Sequence, residues 1–159
     1  MADSLSNDIH AAVAQTREIA YGLRPPILDD KGLVAAIRAR LSGQQADHLR
    51  VEIQASSEPL VLPAAVDLAA LRIVQEAVSN VRTHANAAHC TVALAKRDGE
   101  LQVTVSDDGI GPPPTIQSGL GLASIQQRAT ELGGSAIFMS APGGGMRVAV
   151  RLPIPDPAQ

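Results

Sequence analysis

Apolar positions along the chain follow two periods, and the switches between them mark out the elements. Leu5, Ile9, Ala12, Thr16, Ile19 and Leu23 alternate steps of four and three, which predicts a helix over residues 4–23 with a heptad-like seam. That seam suits a bundle or coiled coil, and equally an amphipathic helix packed on its own domain. It is short and contains Ala and Thr, so alone it would hold a partner weakly. Gly22 and Pro25-Pro26 end it. Asp29 and Asp30 then stand where they could cap a second helix, with Leu33, Ile37 and Leu41 on one face. Residues 43–48 form a turn region, and Val51, Ile53 and Ala55 alternate with polar residues as a strand does. Pro63 opens the longest inner helix, which runs to about Ala85.

The second half alternates more strictly. Strands are predicted over 89–97 and 100–107, joined by a tight turn at Asp98-Gly99. A loop runs from Pro112-Pro113-Pro114 to Gly119. A helix follows from about Leu122 to Leu132 and stops at Gly133-Gly134. Strands over 135–141 and 146–152 make a last hairpin around Pro142-Gly143-Gly144-Gly145. The tail from Pro153 to Gln159 is proline-rich and expected to be disordered. No internal repeat breaks the series. The mixture predicts an α/β (α+β) two-layer sandwich, a mixed sheet of about five strands with helices on one face. Residues 1–28 read as a helix and linker, 29–153 as the domain, and 154–159 as the tail.

Composition narrows the function. The length of 159 residues suits one domain with an extra segment. With one Phe, one Tyr and no Trp, the core must be built from Val, Ile, Leu and Ala. The same scarcity argues against aromatic stacking on single-stranded nucleic acid. A net charge of -3 without a basic run argues against a large nucleic-acid backbone footprint, and no nucleic-acid partner is expected. The single cysteine, Cys90, excludes an intrachain disulfide and a multi-cysteine zinc site, and its apolar strand context makes it a small core residue. No stretch is long and apolar enough to span a bilayer, and no signal peptide is visible. The chain fits a reducing cytoplasm, and a longer parent could still carry a membrane anchor.

Three polar signals remain. Glu76, Asn80 and His84 form a stripe at i, i+4, i+8 on a helix that is otherwise apolar almost all round. The stripe is either a solvated face or a partnered polar set on a buried helix. An Asn oxygen suits Mg²⁺, which keeps several waters and takes phosphate oxygens. Glu76 could orient a metal-bound water or act as a base. Next, Asp107 shares the parity of Leu101, Val103 and Val105, so in register its carboxylate points to the core side and needs donors there. A purine amino group is one such donor, and Gly109 and Gly111 let backbone approach a flat ring. Read more simply, Asp107-Asp108-Gly109-Ile110-Gly111 is a strand-ending turn. Last, Gly119-Leu120-Gly121-Leu122 opens a helix and suits an anion. It lacks the third glycine of a dinucleotide fingerprint, Ser124 standing there, and the chain has no Gly-Lys-Ser/Thr of a P-loop.

In order and spacing these signals resemble a known family. Glu76-x-x-x-Asn80-x-x-x-His84 is similar to the N box, Asp107-x-Gly109-x-Gly111 to the G1 box and Gly119-x-Gly121-Leu122 to the G2 box of the gyrase/Hsp90/histidine-kinase/MutL ATPase superfamily. Within it the chain most resembles sensor histidine kinases of the nitrate/nitrite type. Tyr21-Gly22-Leu23-Arg24-Pro25-Pro26-Ile27-Leu28, followed by Gly32-Leu33, is similar to the join between their second dimerisation helix and ATPase domain. The resemblance implies a Bergerat-type sandwich binding ATP with Mg²⁺. Asn80 would hold the metal, with Thr83 and His84 beside the nucleotide. Asp107 would accept from the adenine amino group, and Gly109, Ile110 and Gly111 would shape the base pocket. Residues 112–118 would form a lid, and Gly119, Leu120, Gly121 and Leu122 the phosphate cradle. Glu76 would polarise the reaction centre.

The chain departs from the family pattern in places. Thr83, with Arg82 beside it, stands where Lys or Arg is frequent, and Met146 follows Gly145 where Thr is common. His10 is followed by Ala11 rather than an acid, so it reads as a surface histidine, and residues 1–28 read as a remnant of the second dimerisation helix with its linker. The implied activity is transfer of the γ-phosphoryl group to a histidine on a dimerisation domain outside this chain, and from there to a response regulator. The N-terminal helix could also support a homodimer. The alternatives are a serine kinase of the anti-sigma type, a nucleotide-binding regulatory module without catalysis, and a plain interaction domain.

Overall fold

The computed structural model describes residue 9 and residues 24–42, 48–56, 60–112 and 121–156. The expected N-terminal helix lies outside the described residues except for Ile9, which is helical and exposed. Most of the expected lid (113–118), Gly119, Leu120 and residues 157–159 also lie outside them. The tail is not disordered from its start as expected: Pro153 ends the last strand, and Ile154 packs on the core and donates its N–H to the Gly99 carbonyl at 2.8 Å.

Two short helices come first, α1 (Pro26–Lys31) and α2 (Leu33–Ser42), followed by β1 (Arg50–Ala55). Helix α3 (Ala64–Asn80) continues into a π-helical turn, Val81–Ala85. Then come β2 (His89–Arg97), β3 (Glu100–Asp107), α4 (Leu122–Glu131), β4 (Ser135–Ser140) and β5 (Met146–Pro153). The five strands form one mixed sheet in the order β1-β2-β3-β5-β4. Strands β1 and β2 are parallel because α3 crosses between them, and every other pair is antiparallel. The β2–β3 turn takes positive φ at both Asp98 and Gly99, as a two-residue hairpin needs.

Parity places the core. Cys90, Val92 and Leu94 on β2, Leu101, Val103 and Val105 on β3, and Val148, Val150 and Leu152 on β5 are buried on one face. Their register partners share that face, so it is continuous. Onto it pack α3 through Leu71, Val74 and Val78, α4 through Leu122, Ile125 and Ala129, and α2 through Leu33, Ile37 and Leu41. The opposite face carries Gln102, Thr104 and Ser106 on β3, and at its edge the exposed Ile137 and Met139 on β4. The core is aliphatic throughout, as the near absence of aromatics requires.

One expectation is corrected at the join. Asp29 and Asp30 do not cap the second helix. Pro26 sits at a first helical position, which its fixed φ favours, so both acids fall inside α1. Gly32, at φ 87°, then separates α1 from α2. Asp29 instead accepts from Arg24 Nε at 2.8 Å. The same guanidinium grips Asp67 in the first turn of α3 with two parallel bonds, Nη1 to Oδ1 at 2.6 Å and Nη2 to Oδ2 at 2.9 Å. Nη1 also donates to the Ala64 carbonyl at 2.8 Å. Asp67 first and Asp29 second raise the Arg24 pKa, so the guanidinium stays charged.

Candidate functional site

A cavity of about 430 Å³ opens between the C-terminal part of α3, the ends of β3 and β5, and the start of α4. Its wall is apolar: Ala77, Val81, Val105, Leu122, Met146 and Val148. Three polar side chains reach it: Asn80, His84 and Asp107. Ile110, Gly111 and Pro112 contribute to its lining. An apolar cleft with a few convergent polar groups is the usual form of a small-molecule site.

Asp107 is the anchor of this arrangement. It is only 8% exposed, as its parity on β3 requires. Its Oδ1 accepts from the Gly109 N–H at 2.8 Å. A buried carboxylate has more acceptor capacity than that single bond uses. Cys90 pairs with Asp107 in the β2–β3 register, and its thiol is pushed up to about 12 by burial and secondarily by the Asp107 charge. The thiol therefore stays protonated near neutrality, and Cys90 is a core residue as expected.

Glycines hold the loop after Asp107 in place. A Cβ on Gly109 would lie 2.0 Å from the Ala85 carbonyl oxygen. The same oxygen accepts from the Ile110 N–H at 2.9 Å. The π-helical turn ends at Asn86, which takes a left-handed φ of 49°. That ending leaves the Ala85 carbonyl free to hold the loop, and such turns often mark functional positions. On the other side, Gly145 has φ 83° and its Cα faces the Asp107 backbone, where a Cβ would come within 1.9 Å of the carbonyl oxygen. The family pattern marked Gly145-Met146 as a departure, but the backbone contact of Gly145 on Asp107 carries no local sequence signal.

Asn80 sits between buried and exposed, and its Nδ2 is buried with no hydrogen-bond partner. A buried amide without a partner is costly, so the site is built for something that contacts it. The same side chain carries an amide oxygen, a hard donor of the kind a cation takes. This donor set fits a hard metal ion shared with phosphate oxygens. Among the described residues no group of three or more His, Cys, Asp or Glu could hold a metal alone.

The other expected site residues divide. His84 and Leu122 line the cavity, Leu122 as part of its apolar wall. Thr83 is exposed on the π-helical turn and is not part of the lining. Glu76, one turn before Asn80, lies against the start of α4: a Cβ on Gly121 would meet Glu76 Oε1 at 2.0 Å. Gly121 itself precedes α4 with φ 69°. Glu76 is therefore packed beside the N-terminus of α4 and does not line the cavity.

Asp108 has a role that reading the sequence missed. Its Oδ1 accepts from the backbone N–H groups of Ala88 at 2.8 Å and His89 at 2.9 Å, and its Oδ2 lies 2.9 Å from His89 Nδ1. No local signal joins residues 19 and 20 positions apart. These bonds, the His89 backbone first and its ring second, hold the carboxyl down to about 2 from 3.8. A depressed pKa stabilises the fold above the unfolded value, and this contribution is lost as pH falls through the folded one. The stability gap between wild type and Asp108→Ala is thus expected to be full above pH 5 and to close toward pH 2. Urea titrations across that range check it; a pH-independent gap would contradict the geometry.

Residues 65–156 match the model of the family described as histidine kinase-, DNA gyrase B-, and HSP90-like ATPase. The chain belongs to this ATPase family. The matched span runs from α3 past the end of β5, so it contains every residue that lines the cavity. The chain is 36% identical over 143 residues to the sensor histidine kinase MctS of Rhizobium johnstonii, covering 86% of this chain and 31% of MctS. It is 31% identical over 154 residues to the signal transduction histidine-protein kinase/phosphatase UhpB of Salmonella typhimurium, covering 95% of this chain and 30% of UhpB. Among solved structures, the blue-light activated histidine kinase of Erythrobacter litoralis aligns with a TM-score of 0.63 at 25% identity, over 77% of this chain and 41% of that one. The chain therefore spans about a third of the length of these two curated relatives. The five-stranded mixed sheet with helices on one face is the fold of histidine-kinase ATPase domains. Among the described residues no helix is long and apolar enough to cross a membrane.

Proposed function

We propose that this chain is the ATP-binding catalytic domain of a sensor histidine kinase. It passes the γ-phosphoryl group of Mg-ATP to a histidine on a dimerisation domain outside these residues. The observation that carries this reading is the pairing, in one apolar cavity, of a buried carboxylate with spare acceptor capacity and an unpartnered buried amide. Asp107 accepts from the exocyclic amine of adenine, and Gly109 and Gly111 keep side chains out of the way of the ring. The apolar wall from Ala77 to Met146 excludes water from the base. Asn80 would hold Mg²⁺, which would supply neutralisation of the phosphate charge. Gly121, just before α4, presents its backbone to the phosphates.

Glu76 orients the reacting end from its place beside Gly121. The nucleophile is an imidazole, so no water need be activated. Catalysis is then chiefly positioning and charge neutralisation. The partners are the parent protein's dimerisation and phospho-acceptor domain and, through it, a response regulator. Residues 1–28 fit a dimerisation helix and its linker, of which the part from Arg24 through the start of α1 already packs on the catalytic domain, 29–153.

Calorimetric titration of Mg-ATP into wild type and Asp107→Asn tests the reading. The amide puts a donor where an acceptor is needed, so binding should weaken at least tenfold, about 1.4 kcal/mol or more. Equal affinity in both proteins would remove Asp107 from the base contact, and no binding to wild type would sink the ATPase-domain reading.

A further inference from the structure

We propose that Asp108, which does not line the cavity, is the positioning residue that sets Asp107 for the base; the proposal rests on the nucleotide reading above. The β2–β3 ladder ends at the pair Cys90–Asp107, so Asp107 is the last residue held by strand pairing. Strand ends fray unless something fastens them. Here the fastening is Asp108. One of its oxygens takes two consecutive N–H groups, at Ala88 and His89, and its other oxygen meets the His89 ring. Its own N–H donates to the His89 carbonyl at 3.2 Å. The β3 end is thereby tied to Ala88 and to His89, the first residue of β2.

Asp108 points away from the cavity, with its side chain 47% exposed, so it can affect a ligand only through the backbone it holds. That backbone has little slack. Immediately beyond it, the Gly109 N–H donates to Asp107 Oδ1, and the Ile110 N–H donates to the Ala85 carbonyl. On its other side, Gly145 presses on the Asp107 carbonyl. A shift of Asp108 by a fraction of an ångström must therefore rotate Asp107 or break one of these contacts. The position calls for an acceptor on a short stem: Asn keeps an oxygen for both backbone donors, whereas Ala keeps none.

The test uses Asp108→Ala and Asp108→Asn in the full chain, with folding checked by circular dichroism. Mg-ATP, ADP and adenosine are titrated, and amide exchange is followed at Gly109 and Ile110. The expected result for Asp108→Ala is at least tenfold weaker binding of all three ligands by a similar factor, because the lost contact is to the base they share. Exchange at Gly109 and Ile110 should speed up at least tenfold. Asp108→Asn should stay within about threefold of wild type on both measures. If Asp108→Ala does not fold, Asp108→Ser, which loses the reach, is scored in its place. Binding within twofold of wild type in the Ala or Ser variant overturns the proposal and leaves the ATPase reading standing. Weakening confined to the phosphorylated ligands also overturns it. Failure of wild type to bind any of the three overturns the reading itself, and the proposal with it.

Discussion

Arg24→Ala is expected to lower the stability of the domain by about 3 kcal/mol, at the lower end of the range for breaking a buried ion pair from one side. Asp67 is 7% exposed, and its two oxygens are both engaged by the Arg24 fork. Removing the arginine strands that carboxylate in the first turn of α3 and also removes the donor to the Ala64 carbonyl. The Arg24 side chain keeps 25% of its exposure, so water can partly replace it, which sets the lower end of the range. For a domain of this size the loss corresponds to roughly 6–12 °C in melting temperature. The other partner matters less. Asp29 is 65% exposed, and Asp29→Ala should cost less than about 1 kcal/mol. Lysine cannot reproduce a two-pronged bond, so Arg24→Lys should retain only part of the stability. Replacing both groups, as in Arg24→Met with Asp67→Leu, should recover most of the loss because no charge is left unpaired. Urea unfolding of the four variants decides it. A loss below about 1 kcal/mol in Arg24→Ala would mean that Asp67 is adequately solvated without its partner.

That ion pair also shows where sequence reading stops. Period-two alternation has no slack, so β2 and β3 lie over the expected residues, and Asp107 points inward as its parity requires. Asp98-Gly99 marked the turn between them because left-handed conformations favour those residues. The long inner helix was legible from Pro63 onward, but its π-helical end was not, since no residue pattern distinguishes a π turn from an α turn. At the join two signals competed. Asp29 and Asp30 looked like caps, while Pro26 looked like a first helical residue, and the proline prevailed. Of the stripe of Glu76, Asn80 and His84, the last two line the cavity. One turn of axial displacement carries Glu76 to the start of α4. Contacts across the chain were out of reach: Arg24 with Asp67 is 43 positions apart, and Asp108 with Ala88 is 20. Such pairs have no period, and each residue alone looks like an ordinary surface charge.

Gly145→Ala is expected to cost about 2–5 kcal/mol and to abolish measurable nucleotide binding, while Gly143→Ala costs about 1–2 kcal/mol and leaves binding intact. The two glycines form a matched pair, since both have φ 83° in the same turn. Positive φ alone strains an L-residue at each of them, by about 1–2 kcal/mol. They differ in what a Cβ would meet. At Gly143 nothing lies within 4 Å. At Gly145 the Asp107 carbonyl oxygen would be 1.9 Å away and its Oδ1 2.9 Å away. Backbone oxygen cannot swing aside as a side chain can, so the β4–β5 hairpin and the end of β3 must part. Overpacking of that kind adds about 1–3 kcal/mol. The displacement falls on Asp107 itself, and also on Gly111, whose Cβ position lies 3.3 Å from the Gly145 carbonyl oxygen. Stability and binding should therefore fail together in one variant and separate in the other. Thermal melts paired with Mg-ATP titration read both quantities. If the two variants lose equal stability, the cost is conformational strain alone, and the close packing of Gly145 on Asp107 has no energetic weight.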